Sequence, residues 1–171
     1  YDEEGNSRAS LGLEFRKSAF EAIINTYSAL SGGVTVGTFT ERVLDGTEIS
    51  LIGELPYLPW ASVIYNHYEW KADQNSRDSK GDKISAEMVI TPSLIVEIGQ
   101  DDHNISGNSN FAKVSLVFPP REKSAASTGL IGKTMFSSGD MSSKMLSKVR
   151  RTNSMVIESE GSGVVIARAT E

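Results

Sequence analysis

The residues whose types could do chemistry are two histidines, a short acidic run beside the second of them, and several glutamates set in alternating segments. His67 and His103 are remote in sequence, and neither stands in a metal-ligand spacing. Asp101-Asp102-His103-Asn104 offers oxygen ligands that could hold a divalent ion, but the run reads more simply as a polar loop. Glu87 and Glu97 could imitate the acid and base of a glycosidase. Their place on the two arms of one hairpin is equally what a wet barrel lumen needs. Serines are so abundant that a Ser/His/Asp set is easily drawn by chance. The glycines form no phosphate loop, because neither GxGxxG after a strand nor a following Lys-Ser/Thr occurs. The expectation is therefore no catalytic residue, no cofactor and no metal, and a protein that is not an enzyme.

The elements that must carry these residues have a period of two up to about residue 120, the signature of strands. Leu11, Leu13 and Phe15 alternate with Gly12, Glu14 and Arg16. In AFEAIINTYSAL, Phe20, Ala22, Ile24 and Thr26 fall on one face and Glu21, Ile23, Asn25 and Tyr27 on the other. TEISLIGEL sets Ile49, Leu51, Gly53 and Leu55 against Glu48, Ser50, Ile52 and Glu54. ASVIYNHYEW carries aromatics on both faces, and its inside and outside stay unassigned. ISAEMVITPSLIVEI is a hairpin with Ile84, Ala86, Met88, Ile90, Leu94, Val96 and Ile98 in one row and Glu87 and Glu97 in the other. FAKVSLVF ends the series, with Ala112, Val114, Leu116 and Phe118 on its apolar side.

The joints read as alternately tight and long. Lys17-Ser18, PYLP and Thr91-Pro92-Ser93 are tight, whereas GGVTVGTFTERVLDG, KADQNSRDSKGD and QDDHNISGNSN are long and polar. An up-and-down meander with short turns at one end and long loops at the other is the layout of outer-membrane barrels. Tyr57, Trp60, Tyr65, Tyr68 and Trp70 bracket one strand, which suits two interfacial girdles or an ordinary core.

After Pro119-Pro120 the chain changes character. REKSAASTGLIGKTMFSSGD reads as an extended linker, and Asp140 can cap a short helix over about 141–153 whose last turn is cationic. SMVIESEGSGVVIARATE alternates again and is either extended or a hairpin about Gly161 and Gly163.

Composition narrows the class. The chain has 171 residues, 39% of them hydrophobic and 23% charged, with a formal net charge of -5, so a basic nucleic-acid-binding surface is not expected. With no cysteine, disulfide scaffolds and thiolate metal sites are excluded. No apolar run approaches the length of a spanning helix, but barrel strands need only about 9–11 residues with every second one apolar. If the tight turns lie in the periplasm, the first strand descends from outside and the seventh ends in the periplasm. Bacterial single-chain barrels use an even number of strands, at least eight, so amino-terminal strands are expected beyond this segment.

Tyr1-Asp2, SRASLGLEFRKS, EISLIGELPYLPW, VIYNHYEW, AEMVITPSLIVEIG and MLSKVRRTNSMVIE, in this order, resemble the β-barrel domain of inverse autotransporters, the intimin and invasin family of outer-membrane adhesins. The resemblance implies a twelve-stranded barrel in the bacterial outer membrane, followed by a linker that contains a helix and turns back through the pore to an exported passenger. Residues 1–120 would be the carboxy-terminal part of that barrel and 121–171 the linker, leading to a passenger that lies outside this chain. The implied partners are outer-membrane lipid, the barrel-assembly and periplasmic chaperone machinery, and a host or cell-surface receptor reached through the passenger. The fold class expected is all-β: an antiparallel up-and-down meander of about seven strands, a partial transmembrane barrel, then a linker with a short helix.

On this reading Leu11, Leu13, Phe15, Ile49, Leu51, Leu55, Ile84, Met88, Ile90, Leu94, Val96, Ile98, Val114 and Leu116 face lipid. Glu14, Glu21, Glu48, Glu54, Glu87 and Glu97 form an acidic lumen face, with Arg16, Lys83 and Lys113 as its chief cations. The basic helix, with Lys144, Lys148, Arg150 and Arg151, would seat in that lumen, where charges are screened less than on a free surface. A soluble up-and-down barrel of lipocalin type, with the aliphatic row enclosing a small apolar ligand, is the alternative, and it inverts which face is wet.

Overall fold

The structure is a computed structural model and describes residues 2–3, 5–36, 39–73, 77–120, 125–136, 150–152, 156–159 and 163–165. Alternation of small or polar with branched or aromatic residues produces strands β1 (Asp2–Glu3), β2 (Asn6–Lys17), β3 (Phe20–Ala29), β4 (Val34–Val36), β5 (Phe39–Val43), β6 (Gly46–Leu55), β7 (Leu58–Trp70), β8 (Ser79–Thr91), β9 (Leu94–His103), β10 (Gly107–Leu116), β11 (Ile157–Ser159) and β12 (Gly163–Val165). The large sheet runs β1-β2-β3-β6-β7-β8-β9-β10, and each of its neighbouring pairs is antiparallel. This is the all-β meander of seven long strands expected from the periodicity. Among the described residues β2 and β10 do not pair with each other, so the sheet is open. A second sheet, β12-β11-β5-β4, joins the tail hairpin to the hairpin between β3 and β6.

Register decides which residues share a face, because opposite partners in an antiparallel pair point the same way. Leu13 pairs with Ile24, Ile24 with Ile49, Leu51 with Tyr65, Tyr65 with Ile84, Ala86 with Ile98, and Ile98 with Ala112. One aliphatic face therefore crosses the whole sheet. It is bare: Leu11 is 80% exposed and Leu116 84%. The strand left unassigned by sequence is sorted by the same pairings. Val63, Tyr65 and His67 stand on the aliphatic face, and Ser62, Ile64, Asn66, Tyr68 and Trp70 on the other. Tyr68 and Trp70 thus cannot belong to an aromatic girdle on the aliphatic face, and Trp70 is buried with Tyr27, Leu44 and Val156.

Three joints differ from the sequence reading. QDDHNISGNSN is not a long loop: β9 continues to His103, β10 starts at Gly107, and only Asn104, Ile105 and Ser106 make the turn. Likewise the β7–β8 connection shrinks to 71–78, and GGVTVGTFTERVLDG contains β4 and β5. The strict alternation of short and long joints therefore does not hold. In the β7–β8 and β9–β10 connections the cause is that the strand ends are polar on both faces, which hides their period of two. Gly107, at φ 75°, takes the left-handed conformation that lets the chain turn so tightly.

The other end of the sheet is covered by the segment after β10. The expected extended linker contains a 3-10 turn, Ala126–Thr128, and its Ala125 is buried against Val89 and Ile95. Trp60 Nε1 donates to the Leu130 carbonyl at 2.9 Å. Tyr57, in the tight β6–β7 turn, has φ 62°, a costly value for a residue with a side chain. Its N–H donates to the Met135 carbonyl (2.7 Å) and its carbonyl accepts from the Gly132 N–H (2.8 Å), so the covering segment holds that turn. The expected helix over 141–153 lies outside the described residues except for 150–152, which are not helical.

Gly46 is where the inner face has no room to spare. A Cβ there would lie 2.2 Å from the Trp70 ring. Gly46→Ala should therefore push the indole out of its cluster and cost about 1–3 kcal/mol. Denaturant unfolding followed by tryptophan fluorescence would register it, and an unchanged midpoint would show that the ring can yield.

Candidate functional site

The face opposite the aliphatic row carries the polar side chains, and an extended piece of the tail lies across it. Glu14, Glu21, Glu48, Glu54, Glu87 and Glu97 all stand on this face by register. They are not equivalent. Arg16 binds Glu14 at 2.8 Å and Glu21 at 3.8 Å. Glu97 accepts from Ser85 Oγ at 2.7 Å. Glu54 is half-buried and pairs across to Ser62. Glu48 and Glu87 are buried, and both meet the tail.

Residues 150–152 form a strap over β2, β3, β6 and β8. The Arg150 guanidinium is ion-paired with Glu87. Asn25 Nδ2 donates to the Arg150 carbonyl at 3.1 Å, and Arg8 donates to the Thr152 carbonyl at 2.8 Å. The Thr152 N–H donates to both Tyr27 Oη (3.0 Å) and Glu48 Oε2 (3.1 Å). Behind these contacts the wall is braced. Tyr27 Oη donates to Glu48 Oε2 at 2.8 Å, Asn66 donates to Glu48 Oε1 at 2.8 Å, and the Arg8 guanidinium lies 4.4 Å from the centre of the Tyr27 ring. Arg151 borders a recess of about 410 Å³ with Ser10, Gly12, Glu14 and Asn25.

The next described part of the tail, residues 156–159, lies at the end of the sheet where β3 connects to β6. Val156 packs on Tyr27, Leu44 and Trp70, the Leu44 N–H donates to its carbonyl at 3.0 Å, and β11 pairs with β5. Glu158 is fully buried and accepts the Asp73 N–H at 2.8 Å, which ties the β7–β8 connection to the tail. Removing that carboxylate, in Glu158→Ala, should cost about 1–3 kcal/mol because the Asp73 donor loses its charged acceptor. Hydrogen exchange at the β5 amides is the readout, and unchanged protection would mean the tie contributes nothing.

The sequence singled out Lys144, Lys148, Arg150 and Arg151. The first two lie outside the described residues, Arg150 reaches Glu87, and Arg151 reaches the recess. Of the cations expected beside the glutamates, Arg16 bridges Glu14 and Glu21, Lys83 lies 3.4 Å from Asp101, and Lys113 is exposed opposite Glu97. Sequence reasoning does not single out the wall residues Arg8, Asn25 and Tyr27 or the strap residue Thr152. Their signal was present in the polar second face of β3, where Asn25 stands opposite Glu48.

The discounted chemistry is separated by the pleat. His67 is on the aliphatic face bonded to Asp82 (2.9 Å), while His103 is on the other, bonded to Ser79 (2.9 Å) and accepting from the N–H groups of Ile105 and Ser106 (3.1 Å each). Asp101 and Asp102 likewise point to opposite faces. Among the described residues no group of three potential metal ligands occurs.

A family model described as "Inverse autotransporter, beta-domain" matches residues 1–153. No curated protein matches the chain. A solved structure described as "Unveiling the Mechanism Behind the in-meso Crystallization of Membrane Proteins" superposes with a TM-score of 0.71 at 18% identity, over 91% of this chain and 68% of that one, a likeness of fold.

Proposed function

Because this chain belongs to the inverse autotransporter β-domain family, whose members are outer-membrane translocators of type V secretion, we propose that it is the carboxy-terminal barrel segment and linker of an intimin/invasin-like adhesin. The barrel anchors the protein, and the linker leads to a passenger displayed outside the cell. The observation that carries this reading is the route of the tail: from the Arg150–Glu87 pair it crosses the polar face and joins a sheet at the β3–β6 end.

The aliphatic row from Leu11 to Leu116 then meets lipid, and the glutamate face lines a wet lumen. Further strands complete the wall between β2 and β10. A basic helix beginning near residue 141 occupies the lumen and gives way to the strap at 150–152. Assembly machinery and periplasmic chaperones handle the barrel, and the passenger meets the receptor. An epitope attached after residue 171 of the full-length protein should be cut by protease added to intact cells. Recovery of the protein in the soluble fraction without detergent, or an epitope shielded until lysis, would overturn the proposal.

A further inference from the structure

The strap is held in an unusual way, and the inference rests on the translocator reading. Four side chains of the wall, Arg8, Asn25, Tyr27 and Glu48, reach it, and among the described residues each of these contacts with the strap ends on a main-chain atom: the Arg150 carbonyl, the Thr152 N–H or the Thr152 carbonyl. In an extended chain the N–H and C=O of residues i and i+2 point to the same edge, and those of i+1 to the other. The wall therefore reads one edge of an extended backbone, with donors set for carbonyls and acceptors for an N–H. The side-chain contact, Arg150 with Glu87, comes from a different strand, β8.

A site that bonds to main-chain groups is indifferent to sequence. We infer that Arg8, Asn25, Tyr27 and Glu48 form a binding site for extended polypeptide backbone on the inner wall, occupied at rest by residues 150–152 and in passage by successive stretches of the exported chain. Each two-residue advance presents the same edge again, so the site can grip, release and grip a moving chain whatever its side chains. The Glu87–Arg150 pair acts differently: it matches one register, and it stops the strap where the guanidinium meets the carboxylate. Tyr27 and Glu48 suit the task because their mutual hydrogen bond (2.8 Å) and the Asn66 bond to Glu48 (2.8 Å) keep the acceptors fixed before a chain arrives. The exchange is non-covalent throughout.

The chain contains no cysteine, so pairs of engineered cysteines can locate the exported segment. In the full-length protein, Asn25→Cys is combined with single cysteines placed along the segment after residue 171, export is stalled by a tightly folded domain at its end, and disulfide formation is scored in whole cells. Cross-links to several positions in the stalled state, giving way to Arg150→Cys or Thr152→Cys once export is complete, are the expected result. A stalled chain that cross-links to Lys113→Cys but never to Asn25→Cys would overturn the site. The double variant Tyr27→Phe/Glu48→Gln should slow surface appearance several-fold at unchanged barrel level, and Thr152→Ala, which keeps the N–H, should not. An unchanged rate in the double variant also overturns the inference while leaving the translocator reading intact. Failure of the unaltered protein to expose any segment would overturn both.

Discussion

Arginine at Met88 or at Val96 is expected to destabilise the membrane-inserted barrel by about 2–4 kcal/mol. The two residues are cross-strand partners in β8 and β9, and Val96 pairs in turn with Val114 of β10. They sit in the middle of the aliphatic face, where the proposed surroundings are hydrocarbon and a guanidinium loses its hydration without gaining a partner. The matched control is Gln100→Arg. It stands on the same face, opposite Ile84 and Asn110, where the apolar row gives way to polar residues, and it should cost no more than about 1 kcal/mol. Urea unfolding of the complete barrel in lipid vesicles, followed through Trp60 and Trp70, measures both. Equal and small effects at Met88 and Gln100 would remove lipid from this face and return the aliphatic row to a soluble role.

Reversing Lys144, Lys148, Arg150 and Arg151 to Glu together should open the pore. The Arg150–Glu87 pair is the described part of that charge match, and Arg150→Glu alone sets two carboxylates at contact, a repulsion of about 4 kcal/mol at an effective dielectric of about 20. The strap would lose its register and swing from the wall. Single-channel conductance of the complete barrel in a planar bilayer should rise several-fold, with longer open times in high salt for the native protein as screening weakens the same pair. Conductance unchanged by the fourfold reversal would show that the basic segment does not close the pore.

Much of this fold was legible because period two survives wherever one face is aliphatic. Leu11 to Phe15, Ile49 to Leu55 and the hairpin about Pro92 could be sorted into faces by inspection, and the register places them together. Periodicity failed where both faces are polar. Gln100 to His103 and Gly107 to Asn110 are strand, yet nothing in their composition distinguishes inside from outside. The strap was illegible for a different reason. Arg8, Asn25, Tyr27 and Glu48 come from three strands, and their common target is main chain, which leaves no trace in the identities of residues 150–152. By contrast the glutamates could be grouped on one face without revealing that two are buried by the tail while others face their own arginine.

The small sheet ties together pieces from opposite ends of the chain: Val43 pairs with Ile157 and Glu41 with Ser159. Pairings between such distant segments form late, since the closure entropy is lost before any bond is gained. On the proposed route β11 can reach β5 only after the strap has crossed the barrel. Until then the Arg42 amide region has a vacant neighbour, and afterwards it is protected. The β5–β11 ladder is therefore a timestamp. Its slow-exchanging amides, sampled at intervals after synthesis, would date the moment at which each molecule's tail arrived outside.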